Sequence, residues 1–203
     1  MRRTAAPLLV LFALSPDQGD AHTFESTSGL YNQFNDGVIV ALTTPSIVLC
    51  LLPLGILAGT ARRVGLRGAW PWLLGGQAIG VLIAPIAPPQ IAAVALALGL
   101  VTAVLAALRP GVRSPVPQAA AALTGGVSAL AAFEGHALFE LPLGVHAGLL
   151  LGANVAFTGV AAVASASLDR WPRDWLRVGW RIAASWLAAI SALVLAFLLR
   201  PLP

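Results

Sequence analysis

The sequence predicts an all-α, polytopic membrane protein: six transmembrane helices behind a cleaved signal peptide. Three observations carry that expectation. Hydrophobic residues make up 58% of the 203 positions and charged residues only 10%, with a mean hydropathy of +0.86. Soluble domains carry about 25% charge, so this chain lacks the polar groups to cover a water-facing surface. The apolar residues gather into stretches long enough to cross about 30 Å of hydrocarbon as helices. The cationic residues, all arginine, gather into short clusters between those stretches. A formal charge of +4 can signal nucleic acid, but clustered arginines beside apolar runs set membrane orientation instead. The expected surroundings are membrane lipid, with no nucleic-acid partner.

The chain opens MRRTAAPLLVLFALSPDQGDAHTF. Arg2 and Arg3 form a positive n-region, and Ala5 to Leu14 an apolar run too short to span a bilayer. Gly19 and Ala21 supply small residues before a cut, the pattern of a secretory signal. The expected division is a signal peptide over 1–21 and a six-helix domain over 22–203. Cleavage after Ala21 leaves His22 first, with amine and imidazole together as a bidentate metal chelate. It removes two arginines and two aspartates, so the charge stays at +4.

The expected spans are 38–60, 69–87, 91–108, 118–139, 143–167 and 178–199. Helices are required because, in lipid, backbone hydrogen bonds must close within the segment. The four-residue loop Ala87-Pro88-Pro89-Gln90 makes spans two and three a tight hairpin. Arg62, Arg63 and Arg67 fall between spans one and two; Arg109 and Arg113 between three and four; Arg170, Arg173, Arg177 and Arg181 between or beside five and six. The other loops hold none. The positive-inside rule makes the Arg-rich loops cytoplasmic and both termini external, in agreement with the signal peptide; only Arg200 departs. The expected location is the cytoplasmic membrane of a bacterium. Trp70, Trp72, Trp171, Trp175 and Trp180 stand beside the arginines as an interfacial belt. Gly75-Gly76, Gly125-Gly126 and the pair Gly148 and Gly152 allow close helix approach. Pro45, Pro53 and Pro85 are positions for kinks. The single cysteine, Cys50, is expected as a small buried hydrophobe.

Against this background, FEGHALFELPLGVHAG at 133–148 holds two of the three histidines, His136 and His146, together with Glu134 and Glu140. On the expected topology they lie on the outer face, at the end of span four and the start of span five. His22, Glu25, Asn32, Asn35 and Asp36 precede span one on the same side. If span four continues that far, His136 and Glu140 share a helix face. Imidazole with carboxylate suits nickel, cobalt, copper or zinc. The candidate metal ligands are therefore His22, Asp36, Glu134, His136, Glu140 and His146; for Asp36 an N-cap role at span one competes.

A signal peptide, an N-terminal histidine, six spans and a His/Glu-rich fourth span together resemble the HupE/UreJ family of nickel or cobalt permeases. The segment FEGHALFELPLGVHAGLLLGANVAFTGVAAV, 133–163, is similar to the family's F-H-G-H-A-H-x-x-E-x-P stretch and the small-residue helix that follows. The resemblance places His136 and Glu140 on motif positions and Glu134 where a histidine is usual; His146 does not fall on the family's later histidine. The family's H-P-x-x-G-x-D-H near span one corresponds here to YNQFNDGVIVALTTP, with no histidine and only Asp36. What the resemblance implies is a permease for a divalent transition metal, nickel or cobalt first. Gln77, Asn154 and Thr158 would be polar steps inside, or else simply interhelical hydrogen bonds.

The alternative is a membrane subunit that binds a metal, copper included, and presents it to a membrane or periplasmic partner protein without transport. An intramembrane serine hydrolase is not expected. Its nucleophile and base must meet at about 3 Å, whereas Ser128 and His136 fall along one expected span and no G-x-S-G motif occurs. There is no phosphate-binding glycine loop, Cys-rich zinc pattern or ATPase motif.

Overall fold

Apolar sequence becomes helix wherever the chain is described. The structure, a computed structural model, describes residues 29–61, 65–108, 115–134, 136 and 140–200. The expected signal peptide and His22 lie outside them. The helices are α1 Leu30–Thr43, α2 Pro45–Thr60, α3 Gly65–Ile83 with a 3-10 turn Ala84–Ile86, α4 Ile91–Leu108, α5 Val116–Ala132, α6 Leu143–Arg170 and α7 Asp174–Leu198. No strand occurs among the described residues. Among the described residues four helical segments are long and apolar enough to cross a membrane, and α1 with α2 makes a fifth if the bent pair counts as one span. The chain is an all-α, multi-pass membrane protein.

Two expectations about span boundaries are corrected. The first span is not one helix beginning near residue 38. It starts at Leu30, breaks at Thr44 and bends by 70° into α2. Pro45 is the cause: the residue before a proline is pushed out of the helical region, and Thr44 sits at φ −72°, ψ 115°. Proline then suits the first position of a new helix, where its missing N–H leaves nothing unpaired. The second correction concerns span four, expected to reach residue 139. Helix α5 ends at Ala132 after 17 residues, about 26 Å of helix against about 30 Å of hydrocarbon. The apolar run gives way there to Phe133 and Glu134, and the His136 amide turns back to the Phe133 carbonyl at 3.1 Å.

Helix α2 is the centre of the bundle. It touches each of the other helices and buries thirteen of its 16 residues, as a helix apolar on every side must. Pro53 lies within it without ending it. Around α2 the helices approach through glycine. A Cβ at Gly148 of α6 would strike the Phe34 carbonyl oxygen of α1, and one at Gly152 would lie 2.7 Å from the Ala41 Cβ. A Cβ at Gly144 would lie 2.8 Å from that of Gln33. The partner numbers rise together, so α1 runs parallel to α6. The same holds for α3 and α5, where Gly76 abuts Ala122 and Gly80 abuts Gly126. Without a hydrophobic drive between helices in lipid, such small-residue contact is what holds a bundle together. Helix α7 is peripheral, with only Ala184 and Ser191 buried.

Candidate functional site

The link from α5 to α6 carries the histidines, and its geometry follows from an apolar anchor. Phe133 and Leu141 are buried with Leu130, Val145 and Leu149 beneath the link. The Phe133 ring stacks on His146 with centroids 4.7 Å apart and planes 26° apart. The end of α5 is thereby fixed against the first turn of α6. Pro142 precedes that turn as N-cap, and its carbonyl faces His146 Nδ1 at 3.2 Å. His136 Nδ1 faces the Glu134 carbonyl at 3.1 Å.

A carbonyl oxygen only accepts, so each Nδ1 carries a proton. In the neutral ring that leaves the lone pair on Nε2. A backbone carbonyl on Nδ1–H is the usual device that sets an imidazole's tautomer and orientation for metal binding through Nε2. Both described histidines have Nδ1 oriented in this way. Glu134 is half-buried in the turn after α5, and desolvation raises its carboxyl above the ordinary carboxylate range. Glu140 is exposed on the same link.

Helix α5 stops short, so His136 and Glu140 do not share a helix face; both sit in the link. Asp36 lies in the second turn of α1, whose N-cap is Gly29, which removes the N-cap role. It stands on the flank of the α1 face that meets α6, about 100° round the helix from Gly37. Among the described residues, no three His, Cys, Asp or Glu side chains converge as a set that could hold a metal ion. His22 lies outside the described residues. Glu134, His136 and Glu140 thus fall on the link and His146 on the first turn of α6 that follows it, without converging, and Asp36 stands on a separate helix.

The interior polar residues form a chain that sequence spacing did not reveal. The Trp70 indole donates to Asn154 Oδ1 at 2.8 Å. Asn154 Nδ2 donates to Gln77 Oε1 at 2.8 Å and to the Leu150 carbonyl at 2.8 Å. Thr158 donates to the Asn154 carbonyl within its own helix. Trp70 is therefore a tie between α3 and α6. The indole can only donate, so it fixes the amide directions. Gln77 then turns its NH2 group, a donor, toward the interior, where Nε2 is buried with no partner among the described residues. No pattern in the sequence distinguishes this arrangement from isolated polar residues; the pairing depends on α3 and α6 meeting.

Comparison of the chain with protein-family models, with curated proteins and with solved structures gives no match.

Proposed function

We propose that this protein captures a divalent transition-metal ion at the α5–α6 link and passes it across the membrane, with nickel or cobalt the first candidates. The observation that carries the reading is the pair of imidazoles at the link, each ring oriented by a backbone carbonyl at Nδ1. Glu134 and Glu140 add carboxylate in the same link, and His22 and Asp36 remain candidate ligands from the chain before and within α1. The broken first span supports transport: discontinuous helices are a recurrent feature of transporter cores. Likeness to the HupE/UreJ family belongs to the same proposal. It is weakened by a departure in spacing, since the family's glutamate falls five residues after the second histidine of its stretch and Glu140 falls four after His136.

A second reading, a non-transporting subunit that presents a metal to a partner protein, is favoured by the interior. The Trp70–Asn154–Gln77 chain ends in an amide donor, which offers a cation no oxygen. The test is total cell metal by mass spectrometry in cells lacking their own nickel uptake, challenged with Ni, Co, Cu and Zn. A rise in one metal with wild type and not with His136→Ala, at equal membrane abundance, supports the permease. Binding by the purified protein that His136→Ala loses, without uptake, supports the presenting subunit. Uptake and binding unchanged in both His136→Ala and His146→Ala refute the site.

A further inference from the structure

At the other end of α6 the bundle holds a cavity of about 810 Å³, within the usual range for small-molecule sites. It lies between the ends of α2, α4 and α6 and the start of α7. His146 and Asp169 are separated along α6 by about 35 Å, so this cavity and the histidine link are at opposite ends of the molecule. Its charged lining is Arg177, Arg181 and Asp169.

The two arginines stand one turn apart on α7 and so share a face. Arg181 is held in place: its Nε donates at 2.8 Å to the Ala107 carbonyl, one of the last carbonyls of α4, which have no partner within the helix. That bond uses one of the five guanidinium donors. No other hydrogen bond of Arg181 occurs among the described residues, and the residue lines the cavity. The hydroxyls in the lining do not compete as donors, because Thr60 donates to the Ile56 carbonyl and Ser165 to the Ala162 carbonyl. The remaining wall is apolar. Trp180 commits its indole N–H to Ser167 at 3.0 Å and presents ring carbon, and Leu168 and Pro172 also line the cavity.

We propose that this cavity binds a phosphate ester of net negative charge, with Arg177 and Arg181 on the phosphate oxygens and the Trp180–Leu168 wall against the adjoining carbon. Planar guanidinium forks match phosphate oxygens bidentately. A basic pocket between helix ends is the arrangement that receives anionic lipid headgroups. The same chemistry is offered by an anionic phospholipid and by a soluble phosphate ester, and the experiment separates them.

The purified full chain in neutral detergent is titrated with phosphatidylglycerol, with phosphatidylcholine and with glycerol 3-phosphate, and retained ligand is read by native mass spectrometry. Expected is saturable retention of a phosphate ester by wild type and by an Arg200→Gln control. Retention falls at least tenfold in the Arg177→Gln/Arg181→Gln double variant and severalfold in Arg177→Gln alone. The single variant leaves the Arg181–Ala107 bond intact, so it reads the site even if the double variant does not fold. Retention of phosphatidylglycerol alone assigns the site to lipid; equal retention of glycerol 3-phosphate assigns it to soluble esters. Equal retention by wild type and Arg177→Gln, or phosphatidylcholine retained as well as phosphatidylglycerol, overturns the proposal.

Discussion

Replacing Gly148 with alanine adds one methyl group to a 28-residue helix, yet its site leaves no room for it. The new Cβ would clash with the Phe34 carbonyl oxygen and lie 3.0 Å from the Gly37 Cα. Both are backbone atoms of α1, so no side chain can rotate away and the helices must separate. Overpacking of this kind costs about 1–3 kcal/mol. Gly159 on the same helix is the internal control, with nothing within 4 Å of a Cβ built there. Alanine there gains about 0.5–1 kcal/mol by restricting the backbone. The two variants should therefore differ by roughly 1.5–4 kcal/mol, with opposite signs relative to wild type. The assay is reversible unfolding in mixed micelles by increasing dodecyl sulfate, followed by helical circular dichroism and tryptophan emission. Equal stability of Gly148→Ala and Gly159→Ala would refute parallel glycine-mediated packing of α1 on α6.

Asn154→Leu should lose both ties to α3, at about 0.6 kcal/mol each on average and up to about 1.7, with a change in Trp70 emission. Thr158→Val, whose bond is to a carbonyl of its own helix, should change stability by less than about 0.5 kcal/mol, as ordinary substitutions away from special features do. Glu134 gives a pH signature. Desolvation raises its carboxyl, so the folded protein holds that proton more tightly than the unfolded chain. Its contribution is most favourable in acid and declines as pH rises from the ordinary carboxylate pKa through the raised one. Glu134→Gln should flatten that decline in unfolding measured from pH 4 to 7; an unchanged slope refutes the assignment.

The helices were legible in the sequence because lipid leaves so few choices: a long apolar run must close its own hydrogen bonds. Hence α3, α4, α6 and α7 fall within a few residues of the expected spans. The failures come where a local rule overrode hydropathy. Pro45 lies inside one apolar run, and hydropathy alone reads across it. The backbone cannot, and the run becomes two helices at 70°. At 133–139 hydropathy is carried by Phe133, Ala137, Leu138 and Phe139, although Glu134 and His136 stand among them. Phe133 is then used to plug the end of the bundle rather than to extend α5. The histidine pair was legible as composition. Its tautomers were not, because they depend on which carbonyls the folded link turns toward each ring.

The charges at the two ends of the molecule bear on the choice between transport and presentation. An ion captured at the α5–α6 link and released about 35 Å away along α6 would reach a cavity whose charges, among the described residues, are Arg177 and Arg181 against Asp169. Two guanidiniums repel a divalent cation and attract phosphate. On the way it would pass the amide donor of Gln77, oriented by Trp70 and Asn154. Both features are unfavourable to a cation, and they lie on the sides of α6 facing α3 and α7. The side facing α1 is closed: Gly144, Gly148 and Gly152 meet the backbone and side chains of α1 with no room for a further carbon. If the protein is a permease, the ion passes the Gln77 face, and Gln77→Glu, which replaces the amide donor with a carboxylate of the same length, raises uptake. If it is a presenting subunit, uptake stays absent with either residue at position 77. Measuring metal uptake and metal binding together in that one variant separates the two readings.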